Sequence, residues 1–206
     1  MFDLDADAVA IASQLRRDPS LVGIVPRRGV RMPGTWDPFE LGVRALLGQQ
    51  ISVAAARTLA GRLVLACGTP LAGSSPSHLF PTPEQVASAD LERLGLPRAR
   101  AASLRAFAEA VAERRLDFRA LRDLDLTIAR LTALPGIGRW TAHYIAMRAL
   151  GEPDAFPAGD LGVRKALARA GKLPSEREVI ARAERWRPWR AYAVIALWTH
   201  PEEEHS

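Results

Sequence analysis

Apolar residues recur along most of this chain at intervals of three and four, the spacing of a helix with one face turned to a core. Ala8, Val9, Ile11 and Leu15 form a first amphipathic stretch, stopped by Asp18-Pro19. Arg31-Met32-Pro33-Gly34 reads as a turn. Asp37-Pro38 then has the form of a helix start, an aspartate cap with proline in the first turn. The apolar positions from Phe39 to Cys67 predict one or two helices, with Gly48 as the break. Gly68 to Pro83 is rich in Gly, Ser and Pro and predicts a loop. Short helices are expected from Pro83-Glu84, from Leu96-Pro97 through Val111, and over Leu124–Leu131. The turn Leu134-Pro135-Gly136-Ile137-Gly138 precedes a helix over Arg139–Leu150. The loop Gly151–Gly159 precedes one that begins at Asp160, and two more follow near Ser175–Arg185 and Trp189–Trp198. No stretch alternates over five or more residues, and no internal repeat is present, so the expected fold is all-α.

Composition narrows the class. The 206 residues suffice for one large domain or two lobes, and a hydrophobic content of 48% predicts a globular chain. No apolar run is long enough to span a membrane, and Met1–Asp18 lacks a signal-peptide pattern, so a cytoplasmic location is expected. One cysteine, Cys67, allows neither an internal disulfide nor a four-cysteine cluster. The four histidines, His78, His143, His200 and His205, have no metal-ligand spacing, and the last two are expected at a frayed tail. A net charge of +5 and a pI near 10.3 favour an acidic partner such as nucleic acid, although a modest basic excess is also common on solvated surfaces. Only Lys165 and Lys172 are lysines; every other basic residue is arginine.

The segment Leu134–Gly138 carries the first chemistry. Leu134 and Ile137 would anchor the turn. Gly136 and Gly138 would allow positive φ and leave room for a close approach. Backbone N–H groups at the start of the next helix would then face a phosphate. A plain packing corner between two helices has the same spacing. Asp160, after Pro157-Ala158-Gly159, reads as an N-cap, and a cap also orients a carboxylate. Trp140 and Tyr144, four residues apart, share one helix face, where core packing is the ordinary role.

Two segments together resemble a family. Leu134-Pro-Gly-Ile-Gly-Arg-Trp-Thr-Ala-His-Tyr144, followed by Phe156-Pro-Ala-Gly-Asp160-Leu-Gly-Val-Arg-Lys165, resembles the helix–hairpin–helix, Gly/Pro loop and aspartate signature of base-excision DNA glycosylases. Within that superfamily the chain is most similar to bacterial 3-methyladenine DNA glycosylase II, the AlkA type. The likeness extends over Phe39–Val53 and Ala183–Tyr192. The best-known members carry an extra N-terminal α/β domain, which this chain is expected to lack.

The resemblance implies two helical lobes around a DNA-binding cleft. One, with the hairpin, would span about 38–155; the other would combine 1–37 with 156–206. It implies a monofunctional hydrolase that flips an alkylated base, of the 3-methyladenine or 7-methylguanine type, out of duplex DNA and leaves an abasic site. Asp160 would be the catalytic carboxylate, and Trp140, Tyr144 and Trp198 would line the base pocket. Gly136, Gly138, Arg139 and Thr141 would contact DNA, and Gln50 would enter the gap left by the flipped base, where the best-known pattern has an apolar residue. No cofactor would be required. A monovalent cation could bridge the backbone carbonyls of Thr132, Leu134 and Ile137 to a DNA phosphate. The partner would be double-stranded DNA, bound by a monomer. Trp36, Trp186 and Trp189 are read as packing.

One carboxylate is enough for such a substrate. Breaking the glycosidic bond builds positive charge on the sugar, and a carboxylate about 4 Å away stabilises it by about 4 kcal/mol at an effective dielectric near 20. An alkylated purine is already cationic and leaves without a strong acid. Relatives that also cleave the strand use a lysine where Trp140 stands, so lyase chemistry is not expected. Two alternatives remain open: a non-catalytic hairpin DNA-binding protein, and a glycosylase for oxidised or mismatched bases.

Overall fold

A computed structural model describes residues 1–73, 75–121, 123–168 and 172–200. Ten α-helices and one two-stranded hairpin occur among them. His205 lies outside the described residues. The chain divides into two compact units, Asp37–Ile145 and a second made of Met1–Trp36 with the residues from Ala146 onward.

In the unit Asp37–Ile145, α2 (Pro38–Leu47) begins where Asp37 accepts the Phe39 N–H and Pro38 supplies a preset φ; it ends at Gly48. After a short loop, Ser52 accepts the Ala55 N–H and starts α3 (Val53–Cys67). The predicted loop that follows contains β1 (Thr69–Pro70) and β2 (His78–Leu79), antiparallel with Thr69 opposite Leu79. At two residues each, such strands leave no room for alternation to be read. Thr82 and Gln85 form a reciprocal cap on α4 (Pro83–Ser88). A single 3-10 turn, Leu91–Leu94, leads to α5 (Arg98–Ala112). The Asp123 cap starts α6 (Leu124–Thr132), and α7 (Arg139–Leu150) follows the hairpin turn.

Helices α2 and α4 pack on α5. Phe107 of α5, fully buried, stacks on Phe39 of α2 with ring centres 5.7 Å apart. Gly42 permits that approach: a Cβ there would lie 2.3 Å from Phe107 Cζ. Leu46, Leu63, Leu91, Leu104 and Leu131 complete this core.

The other unit contains α1 (Ala8–Leu15), α8 (Leu161–Ala166), α9 (Glu176–Ala183), a 3-10 turn at Glu184–Trp186 and α10 (Arg190–Thr199). Every residue of α10 from Arg190 to Leu197 is buried. Arg190 is tolerated there because Asp154 faces its guanidinium, with Nε to Oδ1 at 2.7 Å and Nη2 to Oδ2 at 2.9 Å. Trp186 is fully buried edge-on to Phe156 and donates to Asp18 at 2.8 Å. Trp189 donates to Gln14 at 3.0 Å. These two tryptophans pack as expected, whereas Trp36 is 85% exposed and does not. No helix among the described residues is long and apolar enough to cross a membrane.

Candidate active site

The hairpin is the turn between α6 and α7. The Leu134 N–H reaches the Leu131 carbonyl at 3.1 Å, and the Ile137 N–H reaches the Leu134 carbonyl at 3.3 Å. Leu131 and Ile137 are buried and anchor the turn; Leu134 is half-buried. Gly136 has φ +76°, and a Cβ there would sit 2.0 Å from Ser103 Oγ, so both backbone and space demand glycine. Gly138 differs from the expectation. It does not adopt positive φ, and a Cβ would meet nothing within 4 Å. Its lack of a side chain leaves an open surface at the N-terminus of α7.

Arg139 and Trp140 are exposed on the first turn of α7. Trp140 and Tyr144 stack with ring centres 5.3 Å apart and planes 8° from parallel. The loop before α3 lies against the hairpin: Gln49 Nε2 donates to the Gly136 carbonyl at 3.0 Å and to Thr141 Oγ1 at 3.1 Å. Thr141 is only 4% exposed. Its side chain braces the loop against the hairpin from within. Gln50, the candidate wedge, is exposed with φ +56°.

Asp160 is positioned by a turn in which the Ala158 N–H reaches the Phe156 carbonyl and the Asp160 N–H reaches the Pro157 carbonyl, each at 2.9 Å. Phe156, Pro157 and Ala158 are buried, which fixes the loop. Asp160 caps α8, its Oδ1 accepting the Val163 N–H at 2.9 Å. The same Oδ1 accepts from Trp198 Nε1 at 2.8 Å. Gly162 leaves space for the indole: a Cβ there would lie 3.2 Å from Asp160 Oδ1 and 3.3 Å from Trp198 Cδ1. The carboxylate is thus held by a helix N-terminus and an indole N–H. Trp198, expected as a pocket wall, is a hydrogen-bond partner of the aspartate. The three aromatics expected in one pocket belong to different units, Trp140 and Tyr144 to one and Trp198 to the other. No cluster of three or more His, Cys, Asp or Glu suited to a metal occurs among the described residues.

The family described as HhH-GPD superfamily base excision DNA repair protein matches residues 43–191. The chain belongs to the HhH-GPD superfamily. Residues 1–37 match the AlkA N-terminal domain; here they form α1 and turns, without a strand. Two relatives place this HhH-GPD chain near the AlkA type. It is 45% identical over 98% of its length to a Mycobacterium tuberculosis protein named probable bifunctional transcriptional activator/DNA repair enzyme AlkA, of which it spans 42%. It is 37% identical over 96% of its length to DNA-3-methyladenine glycosylase 2 of Escherichia coli, spanning 68% of that protein. Among solved structures, the Schizosaccharomyces pombe 3-methyladenine DNA glycosylase Mag1 in complex with abasic DNA superposes with a TM-score of 0.72 at 27% identity, covering 94% of this chain and 95% of that one. The chain therefore spans less than half the length of its mycobacterial relatives.

Proposed function

We infer that this chain is a monofunctional DNA glycosylase that hydrolyses the N-glycosidic bond of alkylated bases in duplex DNA. The observation that carries the reading is Asp160: a carboxylate fixed by two hydrogen bonds to one oxygen, in a chain whose family repairs DNA by base excision. Relatives named DNA-3-methyladenine glycosylase supply the substrate class.

The chemistry follows from charge. A base alkylated on a ring nitrogen is cationic, and its bond to C1′ breaks with the electron pair leaving on the base, which departs neutral. Positive charge moves to the sugar, where Asp160 stabilises it. Water adds to C1′ and gives up a proton, and the product is an abasic site on an intact strand. The hairpin binds a phosphate beside the flipped nucleotide through backbone N–H groups near Gly138, with Arg139 adding charge. Trp140 and Tyr144, already stacked, offer an electron-rich surface that favours a cationic base by about 0.5–2 kcal/mol.

The hairpin carbonyls of Thr132, Leu134 and Ile137 are neutral oxygen donors of the kind that suits a monovalent cation. Such an ion would add positive charge at the phosphate and takes no part in bond cleavage. The chain acts as a monomer on duplex DNA.

The test is release of free base from a methylated duplex, followed by gel analysis of the strand. We expect 3-methyladenine and 7-methylguanine to be released and the strand to stay whole until heated in alkali. Faster release of 8-oxoguanine than of every methylated base would overturn the substrate class. Binding without release would leave a non-catalytic hairpin protein. Borohydride trapping of a covalent adduct would show lyase chemistry.

A further inference from the structure

The loop between α2 and α3 carries two successive glutamines, and the first is tethered to the hairpin. Gln50 is exposed with φ +56°, in the left-handed region that residues with a side chain rarely adopt. Gln49 is fastened on both sides. Its amide Nε2 donates to the Gly136 carbonyl and to Thr141 Oγ1, at 3.0 and 3.1 Å. A carbonyl only accepts, so the amide nitrogen must face the hairpin. Its backbone carbonyl in turn accepts from Arg100 Nη2 at 2.6 Å.

Arg100 belongs to α5, and so does Ser103, against which Gly136 is packed. The loop, the hairpin and α5 therefore form a closed circuit of contacts within the unit Asp37–Ile145. Thr141 is buried, and its bond to Gln49 is part-buried. The hairpin turn and the strained Gln50 backbone are two ends of one brace.

We propose that Gln49 is a positioning residue that couples the hairpin's hold on a DNA phosphate to the entry of Gln50 into the duplex. The inference rests on the functional reading above, in which the hairpin is the phosphate site and Gln50 the wedge. A wedge on an untethered loop would lose conformational freedom each time it enters DNA; the tether removes that freedom beforehand. Phosphate capture then sets the depth and direction of Gln50, and the gain is felt only where a gap in the stack admits it.

The experiment compares the full chain with Gln49→Met, which keeps the length of the side chain and removes its donor. Three quantities are measured: affinity for an undamaged duplex, affinity for the same duplex carrying a tetrahydrofuran abasic analogue, and fluorescence of 2-aminopurine opposite the analogue. We expect affinity for undamaged duplex to stay within about twofold, since the phosphate contact is made by the hairpin itself. The preference for the abasic duplex should fall about tenfold, the effect of losing the two amide hydrogen bonds, and the 2-aminopurine signal should fall with it. In a Gln50→Ala background, Gln49→Met should have no further effect on the preference. Equal loss on both duplexes would overturn the proposal, because Gln49 would then only brace the hairpin. Unchanged preference, or full additivity with Gln50→Ala, would overturn it as well. Should Gln49→Met fail to fold, Arg100→Met, which releases only the Gln49 carbonyl, must show the same pattern at smaller size; unchanged preference there overturns the proposal. These readouts measure binding and insertion, not excision. A wild-type chain that shows the coupling yet releases no methylated base would sink the functional reading alone.

Discussion

At the scale of single residues, the Asp160 and Trp198 pair separates charge from geometry. Asp160→Asn keeps an oxygen able to accept from the Val163 N–H and from Trp198 Nε1, so α8 stays capped. What disappears is the negative charge. Single-turnover excision of 7-methylguanine should fall about a thousandfold, the equivalent of about 4 kcal/mol, while affinity for an abasic duplex stays within a few-fold. Excision near the wild-type rate would remove Asp160 from the chemistry. Trp198→Phe keeps a ring and deletes the N–H that Oδ1 accepts, while the Val163 N–H bond stays. If Trp198 acts by orienting the carboxylate, the rate should drop about tenfold with substrate affinity unchanged. If it acts by lining the pocket, affinity should fall and the rate constant at saturation should hold. The sequence places Asp160 and names Trp198, but the bond between residues 38 apart has no local signature.

At the scale of elements, two glycines of one turn have different reasons to be glycine. Gly136 has φ +76° and Ser103 in the space a Cβ would need. Gly136→Ala should destabilise the chain by about 1–2 kcal/mol from backbone conformation alone, with more from the clash, read as a lower urea midpoint at unchanged slope. Gly138 has neither constraint. Gly138→Val should melt like wild type and lose affinity for abasic and undamaged duplexes alike, since only the surface offered to a phosphate changes. Unchanged affinity in that folded variant would argue against a backbone phosphate contact. The turn itself was legible because its code is local: apolar anchors, prolines, glycines and capping aspartates such as Asp37 and Asp160 act within a few residues. The Ser103 contact, the Gln49 tether and the exposure of Trp36 were not legible. Each depends on which distant element arrives alongside, and a tryptophan is written the same way in a core and on a surface.

At the scale of the molecule, the unit that holds Asp160 is closed by its own beginning. Trp186, Trp189 and Tyr192 near the C-terminal side bond to Asp18, Gln14 and Asp3 near the N-terminal side. Asp18 is the tightest of these closures. It is 6% exposed, its Oδ1 accepts the Ser20 N–H and hydroxyl at 2.9 and 2.8 Å, and its Oδ2 accepts from Trp186 Nε1 at 2.8 Å. Burial pushes its pKa up, but the Ser20 and Trp186 donors and the Arg185 charge outweigh that and hold the carboxyl below the ordinary 3.8. The unfolded chain therefore takes up this proton at a higher pH than the folded one. The stability Asp18 contributes is complete above the ordinary value and is lost as pH falls through the lower, folded one. Asp18→Asn cannot reproduce the site, because its NH2 must turn toward Ser20 or toward Trp186, donor against donor. We expect a loss of about 1–3 kcal/mol at pH 7. Since asparagine has no proton to take up, the gap between the variants should narrow as the solution is acidified below 3.8. Urea unfolding at a series of pH values measures both curves. Parallel curves, with a gap independent of pH, would mean that Asp18 supports the fold by shape alone and that its charge is not what ties the two ends of the chain together.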